Sequence, residues 1–452
     1  MMKIIQSVPL RAAIRIVCLV AGLVAPTAPV AFAQALPAAE AAPISTGFAL
    51  PSALGSLSYA VSASQSLTWG YYGNSGAASA TNITGDVAYL SNSKAHPFSM
   101  VFSGGHSFSE SGQQSYNFLS LGFSQVANFG RWNLLISDNV SYLPGTASTG
   151  LSGVPGVGDL GVPPLQVNGD TGQGVLTNYS DRVSNVTAGS VSRQITGKTS
   201  VYGSGSFAIT RFLDDSQEPA YSSSGGLDSN SISGTGGIRH EVDARNSFGG
   251  NYSYSDYSYT GNSFGVAEPG FESQTASASY NHLFSRKLSF SAAAGPQWTT
   301  VSGSATGVSS STALSLFADV SASYAGKSTT TSLVFTRSTN SGYGVTAGAV
   351  SNSAVLAASR QLARVWNFSA TASYTQTSSL PVAGIAPYNV NTYVGGVQVS
   401  RAFARSLSGY ASYTLEDQHS AASSAVDIFS GLEQVVGFGI TYSPAAFHFG
   451  SQ

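Results

Sequence analysis

Charge is scarce in this chain: Asp, Glu, Lys and Arg make up 9% of 452 residues, against about 25% in an ordinary soluble domain. That shortage argues against the densely charged surface of a cytosolic globular protein. The net charge of −2 is spread without a basic run, so nucleic acid is not expected as a partner. Cysteine is nearly absent. The single one, Cys18, lies in the apolar N-terminal stretch, which leaves no disulfide framework and no thiolate metal site. Val17 precedes it where a lipoprotein signal would carry a small residue, so no lipid anchor is expected. The six histidines, at 96, 106, 240, 282, 419 and 448, lack the paired spacing of a metal centre, and neither metal nor cofactor is expected.

Long hydrophobic runs are missing too, once the first 33 residues are set aside. The chain opens MMKIIQSVPLRAAIRIVCLVAGLVAPTAPVAFAQA, with Lys3, Arg11 and Arg15 ahead of an apolar run that ends in Ala31-Phe32-Ala33. This reads as a signal peptide over 1–33, cut before Gln34, with Pro26 and Pro29 arguing against a spanning helix. No later segment reaches the ~20 apolar residues that a membrane helix needs. Any membrane span must then be built from strands.

Strand patterning is what the sequence has in abundance. In RVWNFSATASYTQT (364–377), Trp366, Phe368, Ala370, Ala372 and Tyr374 alternate with Asn367, Ser369, Thr371, Ser373 and Thr375. Aromatics bracket an apolar row of small residues over about nine positions, the length of a tilted strand crossing hydrocarbon. The pattern recurs, punctuated by short turns that carry Lys94, Arg131, Lys198, Arg245, Arg286 with Lys287, Lys327, Arg364 and Arg405. Between these turns lie nine longer Gly-, Ser-, Pro- and Asp-rich connections, the longest at 144–178. The unit repeats roughly every 40 residues, the length of two strands with a turn and a loop. Eight turns and nine loops join eighteen strands, with sixteen or twenty as the neighbouring counts if a weakly patterned segment such as 346–361 hides a bulge. The expected organisation is therefore a signal over 1–33, an N-terminal segment over 34–55, and one all-β closed antiparallel barrel over 56–452.

Trp69, Trp132, Trp298 and Trp366 all fall near strand ends, as expected of aromatics at two membrane interfaces. The last strand reads VVGFGITY, and Gly437, Ile440 and Tyr442 carry glycine and hydrophobic spacing. With this strand pattern, turn asymmetry and aromatic placement, the chain resembles bacterial outer-membrane β-barrel proteins of the porin type over nearly all of the expected mature length. The resemblance implies short turns in the periplasm and long loops outside, in contact with a lipid bilayer and its lipopolysaccharide-type outer leaflet. It implies that Gly437, Ile440 and Tyr442 form a signal for the barrel-assembly machinery, although Val435 replaces a polar residue and the chain continues through SPAAFHFGSQ. It also implies that the third outer loop, 144–178, folds into the lumen, where Asp159 and Asp170 would bias the passage; a mobile surface loop is the alternative.

Enzyme-like strings fail on context. GVGDLG (156–161) has no strand before it and no helix after it, GNSFG (261–265) tops a Tyr-rich strand, and AGKST (325–329) lacks the first glycine of a phosphate loop. No catalytic residues are expected. Alternation places Asp86, Arg239, Glu241, Asp319, Glu416 and Glu433 on the inward face as pore-lining candidates, with Arg239 and Glu241 as a pair near the short-turn rim. Strict alternation also points Asp138 at lipid, where a carboxylate is costly, so a bulge or a different register is expected there. The favoured function is passive passage of small hydrophilic solutes across a bacterial outer membrane. Export of an exopolysaccharide-like polymer and a non-conducting scaffold or adhesion barrel are the rivals.

Overall fold

Alternating segments of this length cannot satisfy their backbone groups alone, and each finds its partners in the neighbouring strand. The computed structural model describes residues 55–70, 77–91, 93, 96–109, 115–143, 182–213, 228–260, 270–302, 310–342, 348–380, 389–420 and 430–449. The expected signal over 1–33 and nearly all of the segment 34–55 lie outside the described residues. The first strands are β1 (Gly55–Trp69), β2 (Ala77–Ser91), β3 (Phe98–Ser109), β4 (Tyr116–Phe129), β5 (Trp132–Leu143) and β6 (Arg182–Gln194). The middle of the wall is β7 (Thr199–Phe212), β8 (Asp228–Glu241), β9 (Asn246–Thr260), β10 (Phe271–Ser285), β11 (Leu288–Val301) and β12 (Ser311–Ala325). It continues through β13 (Thr329–Asn340), β14 (Ala349–Ala363), β15 (Trp366–Ser379), β16 (Asn389–Ala402), β17 (Leu407–Ser420) and β18 (Gly431–Tyr442), with a short β19 (Phe447–Phe449).

Each strand pairs antiparallel with its sequence neighbour, and β1 pairs with both β2 and β18, so the sheet closes into an eighteen-stranded barrel. The weakly patterned segment 346–361 is described from 348 onward and forms one continuous strand, β14 (Ala349–Ala363), whose irregularity lies at Gln361/Ala363 beside the turn. Closure removes the open edge that a sheet of this size would otherwise present.

The seam is longer than the sequence reading allowed. Val61 pairs with Tyr442, and Leu57 then pairs with Phe447, so three residues of β1 face four of the 443–446 segment. That extra residue is a bulge, and Pro444 sits in it, where a missing N–H costs no ladder bond. Tyr59 stacks on Phe447 at 6.2 Å and 7° between planes. The tail FHF thereby completes the seam.

Two departures from a regular wall sit side by side. Thr275 pairs with Gln297 and Ala278 with Ala294, but Gly295 and Pro296 between them have no partner on β10; proline offers no donor there. Beyond Ala318–Arg337, β12 and β13 separate. Arg337 Nε donates to Leu316 O at 3.1 Å, replacing a donor that the ladder no longer supplies. The end of β13 meanwhile turns inward, and Thr339 Oγ1 donates to Gln297 Oε1 of β11 at 3.1 Å.

Candidate functional site

The two faces of the wall differ in kind. Val61, Ile83, Phe102, Leu121, Phe207 and Ile440 are 39–54% exposed on the outer face. The inner face is a mesh of hydroxyls bonded across strands. Ser62 pairs with Thr441 at 2.8 Å, Ser99 with Ser124 at 2.7 Å, Ser141 with Ser184 at 2.6 Å, Ser206 with Ser233 at 2.6 Å and Thr330 with Ser359 at 2.6 Å. These hydroxyls satisfy one another and project little, so the wall is polar without being filled by long side chains.

The four tryptophans are exposed on the outer face, at 37% for Trp69, 45% for Trp132, 39% for Trp298 and 38% for Trp366. Trp132 and Trp366 stand at the short-turn end, beneath Arg193 at 5.0 Å and Arg401 at 5.2 Å; Trp69 and Trp298 stand towards the other end. Rings and guanidinium groups in this order suit an interface where apolar surface meets water. On β18, Ile440 and Tyr442 are exposed on the outer face, whereas Gly437 is on the inner one.

Three of the six inward charges are buried and three are not. Asp86, Glu416 and Glu433 are buried at 2–3% exposure, while Asp319 and Arg239 are half-buried and Glu241 is exposed at the short-turn rim. Arg239 and Glu241 do not form the expected pair. Arg239 Nε donates to Ser247 Oγ at 3.3 Å, because the adjacent strand offers an acceptor closer to the guanidinium than a residue two places along β8. Arg211 instead pairs with Asp228 at 3.7 Å, and His419 Nε2 lies 3.1 Å from Asp417 Oδ2.

Asp138 also corrects an expectation. The β4–β5 and β5–β6 registers run through it without a shift, from Phe123 to Thr187, so it stays on the outer face with Trp132 and Ile136. No bulge is needed, because β6 brings donors to it: Thr187 Oγ1 at 2.5 Å and Asn185 Nδ2 at 3.0 Å, both to Oδ1. Hydrogen bonding to the carboxylate offsets part of the cost of that face.

The outer mouth is narrowed from one side. Tyr259 at the end of β9 donates its hydroxyl to Ser341 O at 2.8 Å, across three intervening strands. Tyr259, Phe271, Val301 and Leu380 form a buried apolar cluster with Tyr257 packed against it. Gly348 has φ +90, and a Cβ there would come within 2.6 Å of both Phe271 and Leu380. Only glycine fits between those rims. The expected constriction loop 144–178, with Asp159 and Asp170, lies outside the described residues; the described narrowing involves Ser341 after β13 and Gly348 before β14.

Opposite this cluster in the strand order, Glu416 of β17 and Glu433 of β18 are direct cross-strand partners. Sequence reading named both residues but missed their pairing, and it missed Gln418 and Tyr116 beside them. Gln418 Oε1 accepts from Thr392 Oγ1 at 2.9 Å, and the Tyr116 hydroxyl is hydrogen-bonded to Ser107 within electrostatic range of Glu433. Among the described residues no group of three or more His, Cys, Asp or Glu is placed to hold a metal ion. AGKST is the basic turn between β12 and β13, closed by Gly326 N to Thr329 O at 2.8 Å.

No family model and no curated protein matches the sequence. Among solved structures, the chain is similar to Pseudomonas aeruginosa OccK2 (OpdF) at 11% identity and a TM-score of 0.43, covering 86% of this chain and 98% of that one. It is similar to a BenF-like porin from Pseudomonas fluorescens Pf-5 at 11% identity and a TM-score of 0.44, covering 87% and 99%. For Acinetobacter baumannii OccAB3 the identity is 9%, the TM-score 0.42 and the coverage 86% and 99%. With eighteen long antiparallel strands, short connections at one end and long ones at the other, the chain folds as a closed all-β barrel.

Proposed function

We propose that this barrel spans a bacterial outer membrane and lets small hydrophilic solutes diffuse through its lumen. The supporting observation is the contrast between the two faces of one closed sheet: exposed Val, Ile, Leu and Phe outside, and cross-bonded Ser and Thr inside. The outer face suits hydrocarbon and the inner face suits water, whereas a soluble barrel of this size would reverse that preference. The short basic turns then face the periplasm and the long connections face outside, on the side of a lipopolysaccharide-type leaflet. Gly437, Ile440 and Tyr442 of β18 are proposed as contacts for the assembly machinery, since β18 is the last long strand to join the seam.

No chemical step is assigned. The wall contributes shape, hydroxyls and a few charges, and selection rests on the narrowed mouth and those charges. A polymer-export channel would call for a continuous ladder of aromatics or like charges along the lumen, and the inward charges are instead few and of both signs. Liposome swelling tests the reading. Vesicles holding the purified barrel should swell in iso-osmotic glycine or pentose and stay unswollen in a large dextran; absence of swelling with every solute would move the weight to a non-conducting scaffold.

A further inference from the structure

At the outer end of the inner wall, two carboxylates face one another, and no described cation neutralises them. As cross-strand partners on the same face, Glu416 and Glu433 have Cβ atoms about 5 Å apart. Both are 2% exposed. Among the described residues neither Glu416 Oε2 nor Glu433 Oε2 has a hydrogen-bond partner, and no Lys or Arg forms an ion pair with either. Two ionised carboxylates in dry surroundings repel, and each loses its hydration without compensation. A barrel wall made almost entirely of Ser, Thr and Gly could carry either position as a small neutral residue. Unpartnered oxygens of one sign on directly paired residues ask for a cation.

The donor set decides which kind. A hard divalent metal takes six or more oxygen ligands, and among the described residues no third acidic or histidine side chain joins such a shell. A primary ammonium group needs fewer partners: three N–H donors, two of which the free Oε2 atoms can accept. From this geometry we infer that Glu416 and Glu433 form a binding subsite for the ammonium group of amine-bearing solutes that enter the lumen, an inference that rests on the channel reading above. Tyr116 and Gln418 border the subsite. The subsite therefore favours a small primary ammonium over an inorganic ion.

Isothermal calorimetry on the full barrel in detergent tests this without requiring conduction. n-Butylammonium should bind the wild type at least tenfold more tightly than tetramethylammonium, which has the charge and no N–H, and more tightly than calcium. The double variant Glu416→Gln with Glu433→Gln should lose at least tenfold in butylammonium affinity while keeping its heat-modifiable mobility and strand circular dichroism; if it fails to fold, Glu416→Gln alone serves. Equal binding by wild type and variant, no binding by wild type, or a preference for calcium each overturns the subsite. Swelling with no ammonium binding would sink the subsite and leave the channel standing, whereas binding with no swelling would sink the channel reading alone.

Discussion

Two carboxylate sites at opposite ends of the barrel show how differently the same group can be treated. In the β8–β9 turn, Asp243 accepts from Asn246 Nδ2 at 2.8 Å, Arg245 N at 2.7 Å and Asn246 N at 2.9 Å. Those donors, the Asn246 side chain first and the Arg245 amide next, hold its carboxyl below the usual carboxylate range. Glu416 and Glu433 have the opposite surroundings: buried, paired with each other, each with one oxygen unmet. Asp243 is explained by the fold it stabilises. The glutamate pair is not, and groups held against the fold's own interest are where function is to be sought.

The strongest test of the two-faced wall on which this comparison depends is a charge placed on either side of β15. Ala370→Arg, on the outer face, should lower unfolding free energy in lipid by about 2–4 kcal/mol, whereas Ser369→Arg, on the inner face, should fold and alter solute passage. Equal tolerance would undo the assignment of faces. Next in size, Glu433→Gln should raise unfolding free energy by about 1–3 kcal/mol, since an amide brings a donor to Glu416 and removes one buried charge. A loss of stability in a urea titration would mean that the pair is structural after all. Tyr259→Phe should cost about 0.5–1.5 kcal/mol by leaving Ser341 O without its hydroxyl donor, and should speed swelling by loosening the mouth.

The smallest effect is expected at Asp243. Its folded-state pKa is depressed, so its stabilisation is present above the ordinary carboxylate pKa and fades as pH falls through the folded value. Asp243→Ala should therefore be less stable than wild type at neutral pH and indistinguishable from it in strong acid. A gap that persists at low pH would assign the loss to turn geometry instead of charge.

How much of this could be read beforehand depended on whether the information was local. The turn DARNS announces an Asx turn, because an Asp side chain can reach the amides two and three residues on. Strand positions followed from period two, and the expected 365–377 is observed as Trp366–Ser379. The Glu416–Glu433 pairing is not local: the long connection between β17 and β18 leaves register free, so both residues could be placed on a face but not opposite each other. At Asp138 the alternation was right and the reasoning that set it aside was wrong, because it ignored donors that β6 could bring from 47 and 49 residues away. The β19 segment escaped notice since three residues after a proline are too few to show a period. The inward turn of β13 depends on Pro296 and on the parting of β12 from β13, and neither is visible as pattern in the segment that moves.

The central claim is a water-filled lumen behind a lipid-facing wall, and single-channel recording of the purified barrel in a planar bilayer tests it most directly. The account predicts discrete, ohmic steps in potassium chloride, with a reversal potential in a salt gradient that shows preference for cations and shifts towards zero in the Glu416→Gln, Glu433→Gln variant. A folded barrel that inserts and passes no current would contradict it.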